Sequence, residues 1–252
     1  MRNRNTLFVG KVLLDFPSLP STNLYALDML SEGRPDEGTI ISARGQTQGR
    51  GQAGATWESE PGKNILLSVI LYPDFVNTNA HFSLNQAIAL AVRDLVAALV
   101  VQPVYIKWPN DIYIEDRKTA GILLQTSIKG FRFQHCVAGI GINVNQTAFP
   151  EHLPKAVSPA MLTGREWDLH ELREELFLCI EERYLQLRAG HTDTIREEYL
   201  RHLYRFGELA RFQRKDGHIF EGRITDVSSQ GLLQVRHEDG ISAFDIKEVA
   251  FL

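Results

Sequence analysis

Apolar positions along the chain change period several times, and each change predicts an element. Residues 8–16 (FVGKVLLDF) read as a first strand, and the turn FPSLPSTN leads into a helical stretch, NLYALDMLSEG, closed by Gly33. TIISA (39–43) predicts a short strand and NILLSVILY (64–72) a buried, β-rich one. From there Leu84, Ile88, Ala91, Leu95 and Leu99 recur at helical spacing until Pro103 stops the pattern. VYIKW, IYIEDRK turning into AGILLQTSI, and FQHCVAGIGINV then follow with short links, which favour antiparallel pairing. Asp168 opens a second helix with Leu169, Leu172, Leu176, Ile180 and Leu187 on one face, and a third helical pattern covers about 193–206. After Gly207 the character changes. LARFQR, HIFEGRITDVS, LLQVRHE and ISAFDI, joined by KDG, SQG and EDG, have the pattern of a small barrel. The expected organisation is an α+β unit over residues 1–206, a mixed, largely antiparallel sheet with packed helices, and a small β unit over 207–252.

Composition narrows the class. A chain of 252 residues, 44% hydrophobic and 23% charged, has ordinary globular proportions and suits one large domain or two unequal ones. No apolar run is long enough to span a bilayer, and the basic start MRNRNTLFVGKVLLDF is broken by Lys11 and Asp15 without a small-residue cleavage site, so neither membrane nor export is expected. The formal charge of -4 leaves no broad cationic face for nucleic acid. Cys136 and Cys179 lie far apart, as small buried hydrophobes of a reduced, cytoplasmic compartment would. Without Cys-x-x-Cys or His-x-x-x-His, no dedicated transition-metal site is expected.

Between the second and third strands lies RGQTQGRGQAGATW (44–57). Its Gly49, Gly51 and Gly54 satisfy the dinucleotide spacing G-x-G-x-x-G, yet Pro61 and Gly62 lead into another strand where that fold needs a helix. A phosphate-binding P-loop needs Lys and Ser/Thr after the last glycine; Ala55 and Thr56 stand there. What remains is either a solvated surface loop or a mobile connection offering backbone amides, Arg44, Arg50 and the face of Trp57 to a ligand. KWPND (107–111) puts Lys107 at a strand end that Pro109 terminates, where a lysine is usually just solvated; with the glycine loop it makes a second cationic segment on one sheet. In GIGINVN (139–145), Gly139 and Gly141 share one strand face and leave room above it, with Asn143 in the same phase. Ser21, Thr22 and Asn23 precede a helix. Capping explains one of them, and the set also suits hydrogen bonding to a neutral urea-like head group.

Taken in order, STN, QTxGRGxxGxxW, KWPND, KxAGILLQ and GIGINVN resemble the motifs of the biotin protein ligases, in a short form without an N-terminal DNA-binding domain. The resemblance spans residues 21–145 and implies the class II synthetase-like catalytic fold, with an SH3-like barrel at the C-terminus. It further implies formation of biotinyl-5′-AMP from biotin and ATP, then transfer of biotin to a lysine of a biotin carboxyl carrier domain. By similarity Ser21, Thr22, Asn23 and Gln46 bind the ureido ring; Gly49, Arg50, Gly51 and Gln52 close over biotin and adenylate; Gly139 and Gly141 line the tail. Lys107 bridges the carboxylate and α-phosphate and is, with Arg50, the expected catalytic cation. Trp57 packs on adenine, and Mg²⁺ rides on the ATP phosphates near Asn143. The loop around 48–58 is expected to order when ligands bind.

Gln52, Ala53 and Ala55 stand where many relatives carry arginine, so weaker retention of the adenylate is expected. The stretch ahead of Ser21 is too short for a winged helix, and no DNA partner is expected. A homodimer through exposed strand edges stays open. The rival readings are a lipoate or octanoate ligase on the related fold and a non-catalytic biotin-binding module.

Overall fold

The structure is a computed structural model that describes residues 5–252, the side chain of Ala53 excepted; the basic start of the chain, residues 1–4, lies outside the described residues. In chain order it forms β1 (Leu13–Phe16), α1 (Thr22–Glu32), β2 (Ile40–Ala43), β3 (Ile65–Leu71), α2 (Phe82–Ala97), β4 (Val104–Lys107), β5 (Asp111–Ile114), β6 (Arg117–Lys129) and β7 (Arg132–Ile142). Then come α3 (Pro159–Thr163), α4 (Leu169–Arg188), α5 (Thr192–Arg201), β8 (Leu209–Arg214), β9 (Ile219–Val227), β10 (Leu233–His237), β11 (Gly240–Phe244) and β12 (Val249–Phe251).

Seven strands make one sheet in the order β1-β2-β3-β7-β6-β5-β4, antiparallel except for the β1–β2 pair. Strand β3 is apolar on both sides because both faces are covered. Ile65, Leu67, Val69 and Leu71 enter the main core with α2 and α4, while Ile70 joins Ile41, Val137 and Ala26 of α1 in a smaller cluster behind. Ser68 is the single polar residue of this wholly buried strand.

Several boundaries differ from the sequence expectation. The strand expected over 8–16 begins only at Leu13, because the amides of Leu7, Phe8 and Val9 donate to the buried carboxylate of Glu181 on α4 (2.6–3.0 Å) and Gly10 turns the chain at φ +75°. The third helix ends at Arg201, since Ile106 and Leu203 exchange a strand-like bridge in which the Ile106 amide meets His202 and the Tyr204 amide meets Ile106. Asp168 does cap α4, accepting from the amides of His170 (2.7 Å) and Glu171 (3.2 Å).

The remaining strands form an antiparallel sheet in the order β11-β10-β9-β8-β12, with β11 and β12 outermost. Its inner residues, among them Phe212, Ile224 and Val235, are continuous with the main core. Trp108 Nε1 donates to Gly231 O (2.8 Å), and the Phe82 ring occupies the room above Gly231, whose φ of +89° suits glycine. Among the described residues no helix is long and apolar enough to cross a membrane.

Candidate active site

The glycines of β6 and β7 lie on the sheet face turned away from α2 and α4. Gly121 and Gly141 are register partners, and the Trp57 indole fills the room above both: a Cβ on Gly141 would meet it at 2.5 Å and one on Gly121 at 3.0 Å. A Cβ on Gly139 would meet the Asn23 amide at 2.0 Å. These bare positions floor a cavity of about 220 Å³, walled by the start of α1, the glycine loop and the turn between β4 and β5.

One end of the cavity is neutral and hydrogen-bonded throughout. Gln46 Oε1 accepts from the Thr22 amide (2.7 Å) and hydroxyl (3.2 Å). Ser68 Oγ donates to Asn23 Oδ1 (2.5 Å) and sits 2.8 Å from Thr22 Oγ1, and Asn23 Nδ2 donates to Gln125 Oε1 (2.9 Å). Ser21, Thr22 and Asn23 are all buried, and although Ser21 holds the N-cap position of α1, its side chain makes no capping bond. Burial of this many polar side chains is sustained only by such mutual bonding.

The other end carries charge. Asp111 and Lys118 pair at 2.7 Å on the cavity wall, and the Lys118 ammonium stands 5.6 Å from the Trp57 ring centroid. Arg50 lines the wall from the loop, where an Arg50–Thr56 bridge and the bonds Gly51 N to Ala55 O (2.7 Å) and Trp57 N to Gly49 O (3.0 Å) fold the glycine segment back on itself. The turn 107–111 is gripped from several sides. Asn85 Nδ2 (2.8 Å) and the Tyr199 hydroxyl (3.0 Å) both donate to Pro109 O, Asn110 Nδ2 donates to Ile122 O, and Trp108 reaches the second sheet.

Of the residues expected from sequence, Ser21, Thr22, Asn23, Gln46, Arg50, Gly51, Gln52, Trp57, Gly139 and Gly141 are together on this cavity. Gly49 borders the outer side of the same loop. Lys107 shares the sheet face, as the register partner of Asp111, but is not on the wall. Its ammonium donates to the Tyr113 hydroxyl (3.1 Å) and lies over the Tyr113 and Phe251 rings at 5.0 and 5.2 Å. Burial lowers its pKa; Asp111 pulls the other way, while Lys155, Lys118 and Arg205 add to the lowering. Asn143 is buried and is not on the cavity wall; it donates to Val157 O (3.3 Å) and leaves Oδ1 without a partner. Asp111, Lys118 and Gly121 fall within the motifs KWPND and KxAGILLQ but were given no role of their own, and Ser68 was not singled out, although a lone serine in an apolar strand was a visible signal.

A cavity that joins a neutral hydrogen-bonding end to a charged end, under a glycine-rich cover, suits an enzyme of the ligase class that holds a carboxylic acid beside a nucleotide. The chain belongs to the biotin/lipoate A/B protein ligase family, whose profile matches residues 16–143. It is 32% identical over 240 residues to the bifunctional ligase/repressor BirA of Bacillus spizizenii, covering 94% of this chain and 73% of that protein. It is also 32% identical to the biotin–[acetyl-CoA-carboxylase] ligase of Paracoccus denitrificans, covering 92% and 97%. The structure of biotin protein ligase from Aquifex aeolicus in complex with biotin and ATP superposes with a TM-score of 0.79 at 26% identity, over 96% of this chain and 99% of that one.

Proposed function

We infer that this protein is a biotin protein ligase, which joins biotin and ATP into biotinyl-5′-AMP and passes biotin to a lysine of a biotin carboxyl carrier domain of a carboxylase. The observation that carries the reading is the two-ended cavity: Thr22, Asn23, Gln46 and Ser68 suit a ureido ring, bare glycine backbone suits an acyl tail, and cations gather where carboxylate and phosphates must meet. A biotin carboxylate oxygen bonds to the α-phosphorus as the bond to the β-phosphate oxygen breaks, and pyrophosphate leaves with the electron pair. A carrier amine then attacks the acyl carbon, AMP departs, and the amine proton is lost to solvent.

Charge is the obstacle. Like unit charges ~4 Å apart repel by roughly 4 kcal/mol at an effective dielectric of about 20. In this reading Lys107 leaves Tyr113 to bridge carboxylate and α-phosphate, and Arg50 with the amides of Gly49, Gly51 and Gln52 closes over the adenylate. Trp57 packs on adenine. A Mg²⁺ ion held mainly by the ATP phosphates would supply charge to offset the leaving pyrophosphate. Among the described residues no group of three or more acidic, histidine or cysteine side chains could hold a metal, but the unpartnered Oδ1 of Asn143 is a hard oxygen that fits as a single donor, the phosphates supplying the rest.

The reading further takes residues 1–206 as the catalytic domain and 207–252 as an SH3-like barrel. It takes the compartment as cytoplasmic, with no DNA partner, and the outer edge of β1 as the place where a second copy would add its sheet. The test is biotin-dependent ATP–pyrophosphate exchange, repeated with lipoate and octanoate, followed by transfer to a carrier-domain fragment. Wild type is expected to exchange and transfer with biotin alone, and Lys107→Ala to lose exchange at least a hundredfold, about 3 kcal/mol of transition-state stabilisation. Exchange with lipoate but not biotin would overturn the substrate, and undiminished exchange in Lys107→Ala the mechanism.

A further inference from the structure

The Asn23 amide spans three strands. Ser68, Gly139 and Leu123 are register partners on β3, β7 and β6, and the bare middle position leaves Asn23 room to reach from the strand on one side to the strand on the other. At the β6 end its Nδ2 donates to two oxygens, Gln125 Oε1 (2.9 Å) and Leu123 O (3.3 Å). At the β3 end its Oδ1 accepts from the Ser68 hydroxyl (2.5 Å).

An amide has a donor end and an acceptor end. Turned over, Asn23 would set its own oxygen against two others, so the acceptors on β6 dictate which end faces Ser68. The choice passes along the hydroxyls. Ser68 has one hydrogen and must give it to Oδ1, which can only accept. Ser68 Oγ and Thr22 Oγ1 are 2.8 Å apart, a separation that needs a hydrogen between them, so Thr22 supplies it. Its 3.2 Å approach to Gln46 Oε1 is the longer arm of a forked bond.

The Thr22 hydroxyl is thereby left with lone pairs to offer a ligand. Gln46, whose oxygen is held by the Thr22 amide (2.7 Å), offers its NH₂. One acceptor beside one donor is the complement of the N–H and C=O of a urea. Of the two acceptors that set this polarity, Leu123 O belongs to the backbone, and Gln125 Oε1 is the one a side chain supplies. Gln125 borders the outer side of the glycine loop and is not on the wall of the site.

Building on the ligase reading above, we propose that Gln125 is a positioning residue for the ureido ring. Without touching the ring, its oxygen orients Asn23 and, through Ser68, fixes the Thr22 hydroxyl as the acceptor for a ring N–H.

The experiment compares wild type with Gln125→Met, of similar length without a strong acceptor, and Gln125→Glu, which keeps an acceptor oxygen. Calorimetric titrations with biotin and, separately, with ATP accompany exchange kinetics. Gln125→Met is expected to weaken biotin binding and raise the KM for biotin about tenfold, the loss of one oriented hydrogen bond, with ATP affinity and kcat within about twofold. Gln125→Glu is expected to hold biotin within about twofold of wild type. Ser68→Ala cuts the same chain, so adding Gln125→Met to it is expected to weaken biotin binding less than twofold further. Unchanged biotin affinity in Gln125→Met, equal losses in the Met and Glu variants, or full additivity with Ser68→Ala each overturns the proposal. A wild type that exchanges with lipoate and not biotin overturns the ligase reading and the proposal with it. A wild type that uses biotin, beside a Gln125→Met protein indistinguishable from it, sinks the proposal alone.

Discussion

A single methyl group at position 141 would occupy the space of the Trp57 indole, and one at 139 that of the Asn23 amide. Overpacking of this kind costs about 1–3 kcal/mol. Gly141→Ala is therefore expected to weaken biotin binding by about tenfold or more in a calorimetric titration, because the floor strip is raised by one carbon. Lys107 makes a prediction in pH. Burial holds its ammonium below the ordinary 10.5, so the alkaline limb of the exchange-rate profile is expected below that of a free lysine, and Lys107→Arg, always charged, moves it upward. Between the lowered folded value and the unfolded one, the unfolded chain binds more proton, so this group makes stability rise with pH through that window. The residues of the neutral end were legible in the sequence because short polar side chains in STN have no business in an apolar groove without a ligand or one another. Ser68 was harder to see, since it reaches the site only through register, by facing Thr22 and Asn23 across the layer.

At the scale of elements, the loop of residues 48–58 is tied mostly to itself, through the Arg50–Thr56 bridge and the bonds between Gly49, Gly51, Ala55 and Trp57. Such a segment opens without disturbing the sheet. Biotin and ATP together are expected to slow its proteolysis at least several-fold, read from the appearance of fragments cut near Arg50; equal rates with and without ligand would show that the cover does not close. Most strand identities, the antiparallel pairing of β4 through β7 and the capped start of α4 followed from period and punctuation. The start of β1 did not, because a carboxylate more than 170 residues away in the chain captures the amides that a strand there would have used. Nor did the register shift between β5 and β6 at Ile112 and Tyr113, which one strand cannot declare without its neighbour.

The whole molecule is coupled through the turn 107–111. The indole N–H of Trp108 is held by Gly231 of the C-terminal unit, Pro109 O by α2 and α5, and the next two residues, Asn110 and Asp111, line the charged end of the cavity wall together with Lys118. Trp108→Phe strands the carbonyl of Gly231 and is expected to cost about 1–3 kcal/mol in chemical denaturation, with a slower exchange reaction besides. A purely local role would lower stability and leave the rate alone. The change of texture after Gly207 was plain from short alternating runs and glycine turns, but the way the second sheet leans on the site was not, since no local pattern encodes that Phe251 comes to rest beside Lys107.

Trp57 gives the pocket a tenant. In the free protein its indole lies along the strip of bare backbone that an acyl chain would use, with a ring nitrogen that bonds to nothing. In the proposed reaction the indole must leave that strip before biotin can lie along it. Because that group is one of the chain's three indole fluorophores, a shift in its emission on adding biotin, read with Trp108 and Trp167 replaced by Phe, would report its displacement.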